Sequence, residues 1–221
     1  NKGKFHFYGN PPEQVWLRLA VKIDSGSSTL QVTDANHGWK VGDEIIIASS
    51  STKHEEKELM TIASIDPNNN AIITTTSAFQ YDHYGSEQTV TTEQGELDMR
   101  AEVGHLTRNL VVESSTEDDW GCNIITPSFA TINGSIKGTN QGSLLLRGVE
   151  IKKCGHRDTN KAAVDFNWLT KANQWHEVSR CSFNDGQGWA VNMYNSRGIN
   201  LEENVFYNPR KYGVFMEKVT D

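Results

Sequence analysis

Short alternating apolar runs, broken by Asn, Gly and Asp, predict strands along the whole chain and no long helix. Residues 14 to 100 carry five of them: Val15 to Ala20, Thr29 to Thr33, Glu44 to Ala48, Leu59 to Ile65 and Ala71 to Thr76. Turn chemistry divides them at Ser25-Gly26, Asn36-His37-Gly38, Gly42-Asp43 and Asp66-Pro67-Asn68-Asn69-Asn70. This half predicts a compact β-barrel or sandwich with Trp16 and Trp39 in its core, and Ser51 to Glu58 predicts a short helix or charged loop. From Val103 the spacing changes. Leu106 to Glu113 predicts one strand, Asn123 to Thr126 another, and Leu144 to Ile151 the start of regular coils.

Those coils announce themselves by repetition. Ala163-Val164-Asp165-Phe166 returns as Ala190-Val191-Asn192-Met193 and as Gly213-Val214-Phe215-Met216. Val178, Cys181, Phe183, Trp189, Val191 and Met193 reappear 23 positions later as Leu201, Asn204, Phe206, Tyr212, Val214 and Met216. A period of this size suits one coil of a β-solenoid, which buries its apolar side chains only by stacking on the next coil. Asn and Gly are expected at the corners, where they tolerate positive φ. No Pro- or Ser-rich linker separates the two halves, so they are expected to pack on each other.

Composition fits this shape. Of 221 residues 36% are apolar, and the mean hydropathy of −0.57 is lean for one spherical core but sufficient for a narrow one. Lys and Arg number 21 against 28 Asp and Glu, a net charge of −7 with no basic run, so nucleic acid is not an expected partner. The longest apolar stretches fall far below the ~20 residues that cross a bilayer. Membrane attachment is expected only through segments outside this sequence, and the chain reads as a piece of something longer, truncated at its C-terminal end. Three cysteines, Cys122, Cys154 and Cys181, are too few for a disulfide framework or a zinc site. One bridge between neighbouring coils, such as Cys154 with Cys181, stays open in an oxidising compartment. Asn133-Gly134-Ser135 is the one glycosylation acceptor pattern.

An ordered set of motifs now carries a resemblance: Trp16-Leu17-Arg18-Leu19; Trp39-Lys40-Val41-Gly42-Asp43-Glu44-Ile45-Ile46-Ile47-Ala48-Ser49-Ser50; Glu55 to Ile62; Asp82-His83-Tyr84-Gly85; and Met99 to Asn109. The set resembles the eight-glycine domain of fibrocystin, fibrocystin-like proteins and the related hyaluronan-degrading proteins of the cell surface. The resemblance implies an all-β fold, a barrel-like eight-glycine domain packed on a right-handed parallel β-helix. The expected division is 1–112, whose first residues join the helix, and 113–221 for the coils. It also implies a large extracellular or luminal surface glycoprotein, membrane-anchored and in one branch ciliary, with other extracellular proteins or glycans as partners and no cofactor or metal.

In the hyaluronan-degrading and many fibrocystin-like relatives the stretch matching Val164 to Asn167 looks like Ile-His-Phe-His, and a further His that many of them carry is matched here by Tyr194. This chain has Asp165 and Asn167 there. An amide cannot exchange protons near neutral pH as an imidazole does, so a non-catalytic scaffold is expected. If there were a catalytic centre, a glycan hydrolase or lyase site, Asp165, His156, His176 and Asp185 would form it, because equivalent residues of stacked coils lie ~4.8 Å apart. A third possibility is glycan binding, with Trp168, Trp175, Trp189 and Tyr212 stacking on sugar faces. Trp189 and Tyr212 share a repeat position and are expected to form one ladder. His83, Arg100 and Glu102 match family positions and are expected to make polar pairs between barrel and solenoid.

Overall fold

The computed structural model describes residues 3–86, 89–115, 120–133, 136–170 and 175–220, with the side chains of 89, 129–133 and 136–140 outside the description. Two compact units form, Pro12–Thr107 and Asn1–Pro11 together with Arg108–Asp221. In the second, β1 (Lys4–Tyr8) precedes the whole of the first unit.

The Pro12–Thr107 unit holds β2 (Trp16–Arg18), β3 (Thr29–Gln31), β4 (Glu44–Ile47), β5 (Glu58–Ile65), β6 (Ile72–Thr75), β7 (Thr89–Thr92), β8 (Gly95–Asp98) and β9 (Glu102–His105), with a single 3-10 turn at His54–Glu56. Six of these strands make an antiparallel sheet in the order β2-β9-β4-β5-β6-β3. A bridge between Leu19 and Val32 links the ends of the two outer strands, so the sheet curls around Leu19, Ile45, Ile47, Ile62, Ile73, Phe79 and Val103. Trp39 belongs to this core and donates its indole N–H to the Gln14 carbonyl at 2.6 Å. Trp16 does not: strand alternation turns Leu17 inward and leaves Trp16 41% exposed.

The remaining strands are β10 (Leu110–Glu113), β11 (Ile124–Asn133), β12 (Ile136–Gln141), β13 (Ser143–Arg147), β14 (Val149–Lys152), β15 (Val164–Asn167), β16 (His176–Ser179), β17 (Ser182–Asn184), β18 (Val191–Tyr194), β19 (Ile199–Glu202), β20 (Val205–Tyr207) and β21 (Val214–Glu217). Of the expected strand Leu106 to Glu113 only the second half is a strand, β10, and the boundary between the two units falls within the stretch, at Thr107 and Arg108. Three parallel ladders stack, β1-β13-β16-β19, β10-β14-β17-β20 and β11-β15-β18-β21, with β12 antiparallel on the outer edge of β11. This is a four-coil parallel β-solenoid. In its first coil β1 and β10 take the places of β13 and β14 in the second. Residues 12–107 are therefore inserted at a corner that later coils turn in one or two residues.

Register follows the repeated phrase. Val164, Val191 and Val214 align, as do Phe166, Met193 and Met216, and Phe183 stacks on Phe206 with ring centroids 5.0 Å apart. The 23-residue spacing holds for the last two coils, while Asp165 to Asn192 spans 27 because the earlier coil carries longer loops.

Corner chemistry departs from expectation. Three columns of residues have positive φ: Gly148, Arg180 and Glu203; Lys153, Asp185 and Asn208; Trp168, Asn195 and Lys218. Only three of the nine are Gly or Asn. For the others the left-handed conformation costs about 1–2 kcal/mol each. Backbone bonds to the next coil fix it, as in Lys153 N–H to Asn184 O (2.9 Å), Arg180 N–H to Glu202 O (2.9 Å) and Trp168 N–H to Tyr194 O (3.0 Å).

Cysteine pairing also differs. The bridge joins Cys122 to Cys154, not Cys154 to Cys181. Bonds from Gly121 N–H to Gly155 O and from Gly155 N–H to Cys122 O lay the two segments side by side, with Cα atoms 4.4 Å apart. Closing a separation of 32 residues stabilises the fold by about 3.7 kcal/mol in the chain-entropy account. Cys181 is free and buried, and burial pushes its thiol up to about 11.

Candidate functional site

The outer face of the β11-β15-β18-β21 ladder concentrates the chemistry. Val164 and Phe166 point into the core, so Asp165 between them points out, in a row with Ile125, Asn192 and Phe215. A second row on the same face holds Pro127, Asn167, Tyr194 and Glu217.

Asp165 is only 1% exposed. Its Oδ2 accepts the Asn123 amide at 2.6 Å and the Ala162 N–H at 3.0 Å, and its Oδ1 accepts the Asn192 amide at 2.7 Å. Burial pushes its carboxyl above the ordinary value, against the pull of those three bonds and of the nearby His156. Asn123 donates as well to the Ala162 carbonyl at 2.6 Å, which locks the rotamer.

His156 lies in the loop before β15, bridged through its backbone to Trp120, with the two rings 4.7 Å apart. Its Nδ1 is buried and has no hydrogen-bond partner among the described residues. His176 sits on the opposite side of the sheet wall, fully buried, edge-on to Phe166 at 5.7 Å. Its Nδ1 accepts the Leu144 N–H at 3.4 Å, and desolvation lowers the imidazole from 6.5 to about 4. Asp185 occupies a corner column and accepts the Asn208 amide at 2.9 Å. The structure therefore brings His156 toward Asp165 and places His176 and Asp185 elsewhere.

Aromatic rings flank the face. Trp189 stacks on Phe215 at 4.6 Å and 11° rather than on Tyr212, with Lys211 Nζ 5.6 Å from its centroid. The shared register of Trp189 and Tyr212 is kept by the backbone, through Ala190 N–H to Tyr212 O. The Trp189 ring thus lies against Phe215, the last member of the Asp165 row. Trp168 meets Tyr194 edge-on at 5.5 Å, and Lys218 Nζ lies 5.5 Å over Tyr194. Trp168, Trp175 and Tyr212 are exposed. The Asn133 side chain, with Gly134 and Ser135, lies outside the described residues.

In the barrel unit the polar pairs are internal. His83 is fully buried, its Nε2 2.9 Å from Glu58 Oε2, and Glu58 also accepts the Gln80 and Tyr81 N–H groups. Arg100 and Arg18 both pair with Asp98, and Glu102 lies 3.8 Å from Arg18. His83, Arg100 and Glu102 thus have these partners within their own unit, on β5, β8 and β2. His105 is 2.8 Å from Asp43 Oδ2; burial would raise that carboxyl, but the bonds from His105 and the Lys40 N–H outweigh it and hold it below its ordinary value. Among the described residues no cluster of His, Cys, Asp and Glu has the arrangement to hold a metal ion.

No family model matches the chain. Across 249 aligned residues it is 28% identical to fibrocystin-L of Mus musculus, covering 98% of this chain and 6% of that protein. Over nearly its whole length the chain is similar to fibrocystin-like regions and to G8 domain-containing proteins. It is also 27% identical over 239 residues to the cell migration-inducing and hyaluronan-binding protein of Homo sapiens, covering 97% of this chain and 16% of that one. Among solved structures, the tailspike protein gp49 of Pseudomonas phage LKA1 covers 95% of the chain, and the chain covers 33% of it, at 12% identity and a TM-score of 0.31.

In this fibrocystin-like chain the holders of Asp165 were not foreseen. Asn192 was legible, since it replaces Asp165 in the repeated phrase. Phe215 was legible in the same way, as the third copy's residue at that place, and Asn123 had no signal of its own.

His176 makes a checkable prediction about pH. Its folded value lies below the ordinary one, so the unfolded chain takes up the proton first and stability is complete only above about 6.5. Urea midpoints are expected to fall as pH is lowered from 6.5 toward 4, and His176→Leu is expected to flatten that part of the profile. Parallel profiles for the two proteins would refute the assignment.

Proposed function

We propose that this region is a non-catalytic structural and interaction segment of a large extracellular, membrane-anchored fibrocystin-like glycoprotein, one branch of whose relatives works at cilia. The observation that carries the reading is the enclosure of Asp165: both oxygens accept hydrogen bonds, from three donors in all, and only 1% of the residue meets solvent. A general acid or base needs a free lone pair or proton facing substrate. The imidazole positions of the hyaluronan-degrading and many fibrocystin-like relatives are filled here by Asp165, Asn167 and Tyr194, which leaves those positions without a proton shuttle working near neutral pH. The Cys122–Cys154 bridge suits an oxidising, extracellular compartment. The chain spans about 6% of the length of the fibrocystin-L it matches, and the activity and partners of such a whole protein belong to this proposal.

A second reading, a glycan-binding face, is favoured by one arrangement: Trp168, Tyr194, Trp189 and Phe215 border a strip of amides on one side of one ladder. Both readings are tested by incubating the purified chain with hyaluronan and related polymers. Unchanged polymer size is expected. Shortening that is lost in Asp165→Asn would overturn the non-catalytic reading, and binding that is lost in Trp168→Ala and Trp189→Ala would favour the sugar-facing one.

A further inference from the structure

The β7–β8 hairpin stands apart from the six-stranded sheet, and among the described residues neither of its strands has a second neighbour. Register pairs Val90 with Leu97 and Thr92 with Gly95 on one face, and Thr91 with Glu96 on the other, the face that also carries Asp98. Asp98 ties that second face to its own unit, accepting from Arg100 Nη2 at 2.7 Å and pairing with Arg18. Alternation then turns Val90 and Leu97 outward, 50% and 51% exposed, with Met99 beside them at 38%. The tip is well formed: the Thr92 hydroxyl donates to Gly95 O at 2.8 Å and accepts the Gln94 N–H at 3.3 Å.

Two strands with one exposed apolar pair are marginal on their own, and a third strand is what such a ribbon lacks. Edge strands are normally blunted by charged side chains, Lys above all, by Pro or by a bulge, and an acidic edge repels other acidic strands while leaving a basic one free to pair. Residues 89–98 contain neither Lys nor Pro, and the register of the hairpin is unbroken. Charge says what kind of strand fits. The hairpin carries Glu93, Glu96 and Asp98 with no basic residue; arginines answer Asp98 within the unit, and Glu93 and Glu96 face solvent.

We propose that this hairpin is a docking edge for an extended basic segment of a protein partner, which adds as a third strand. Its apolar residues would lie with Val90 and Leu97, and its alternate Lys or Arg residues on the Glu96 face, main-chain bonds giving affinity and alternation giving specificity. The inference stands on the hairpin alone and goes beyond the scaffold reading, which concerns the solenoid face.

The test uses the full chain and labelled peptides in fluorescence anisotropy: an alternating Lys-Val peptide, its Glu-Val counterpart, and a Lys-Val peptide with Pro at every fourth position. The Lys-Val peptide is expected to bind and to protect amides of 89–98 from hydrogen exchange. The other two peptides, and the variants Leu97→Lys and Glu96→Lys, are expected to bind at least about tenfold more weakly, or about 1.4 kcal/mol. Both substitutions are at exposed sites, and unchanged melting temperatures establish that the variants fold. No binding, equal binding of the Pro-bearing peptide, or protection of the same amides by self-association of the chain without peptide would each overturn the proposal.

Discussion

Gly9→Ala is expected to destabilise the solenoid by more than about 4 kcal/mol, the range reserved for a steric fault with a named cause. A Cβ at Gly9 would sit 2.0 Å from the Gly148 carbonyl oxygen and 3.0 Å from Asn109 Oδ1. The first of these is backbone of the next coil and cannot swing aside. Nor can Gly9 retreat, because its N–H donates to Arg147 O at 2.7 Å while the following Asn10 N–H is held by Asn109 Oδ1 at 2.6 Å. These contacts fasten the two ends of the first coil where the chain leaves for residues 12–107 and returns. Gly3 is the control, since nothing lies within 4 Å of a Cβ built there. Urea denaturation followed by circular dichroism should give Gly3→Ala the parent midpoint and Gly9→Ala a much lower one. Equal midpoints would show that the first coil is not seated as described.

Asp165→Ala is expected to lower stability by about 4 kcal/mol and Asp165→Asn by no more than about 1 kcal/mol, because loss of an acceptor strands buried donors whereas a neutral isostere does not. Three donors converge on the carboxylate: the amides of Asn123 and Asn192 and the Ala162 N–H. In the Ala variant all three lose their partner in a place water does not reach. In the Asn variant one oxygen remains on the Asn123 and Ala162 side, and the Asn192 amide can rotate to present its own oxygen to the new NH₂. Burial has already raised this carboxyl, so the ionised form opposes folding and its penalty fades as pH falls, the opposite sign to His176. Similar midpoints for the two variants would mean that the amide row does not depend on an acceptor at Asp165.

The solenoid was legible where side chains repeat. Val164, Val191 and Val214, or Phe183 and Phe206, recur because each coil must offer an apolar residue to the same interior column. The barrel strands were legible for a similar reason, each being a short alternating run bounded by turn residues. Corners were not. A backbone bond from the neighbouring coil can hold Arg180, Lys153 or Trp168 at positive φ, and such a bond leaves no mark in local composition.

Candidate sites were legible as residues and not as an arrangement. Asp165 and His176 look alike in the sequence, one polar group in each of two consecutive coils. One faces out to a pair of asparagines and the other faces into the core, and which way each points depends on strand register. Trp189 shows the same limit, since its register with Tyr212 held while its ring went to Phe215.

Periodicity and turn residues, read along the chain, determined that this protein is all-β and that its second half is a stack of coils, while an ordered set of motifs carried the resemblance to fibrocystin. Only the tertiary structure decided that residues 12–107 interrupt the first coil, that Cys122 is the partner of Cys154, and that Asp165 is closed off by three donors. Local patterns act over a few residues and survive in any reading of the sequence. Pairings between segments tens of residues apart are chosen by how the coils land on one another, and that choice exists only once the chain has folded.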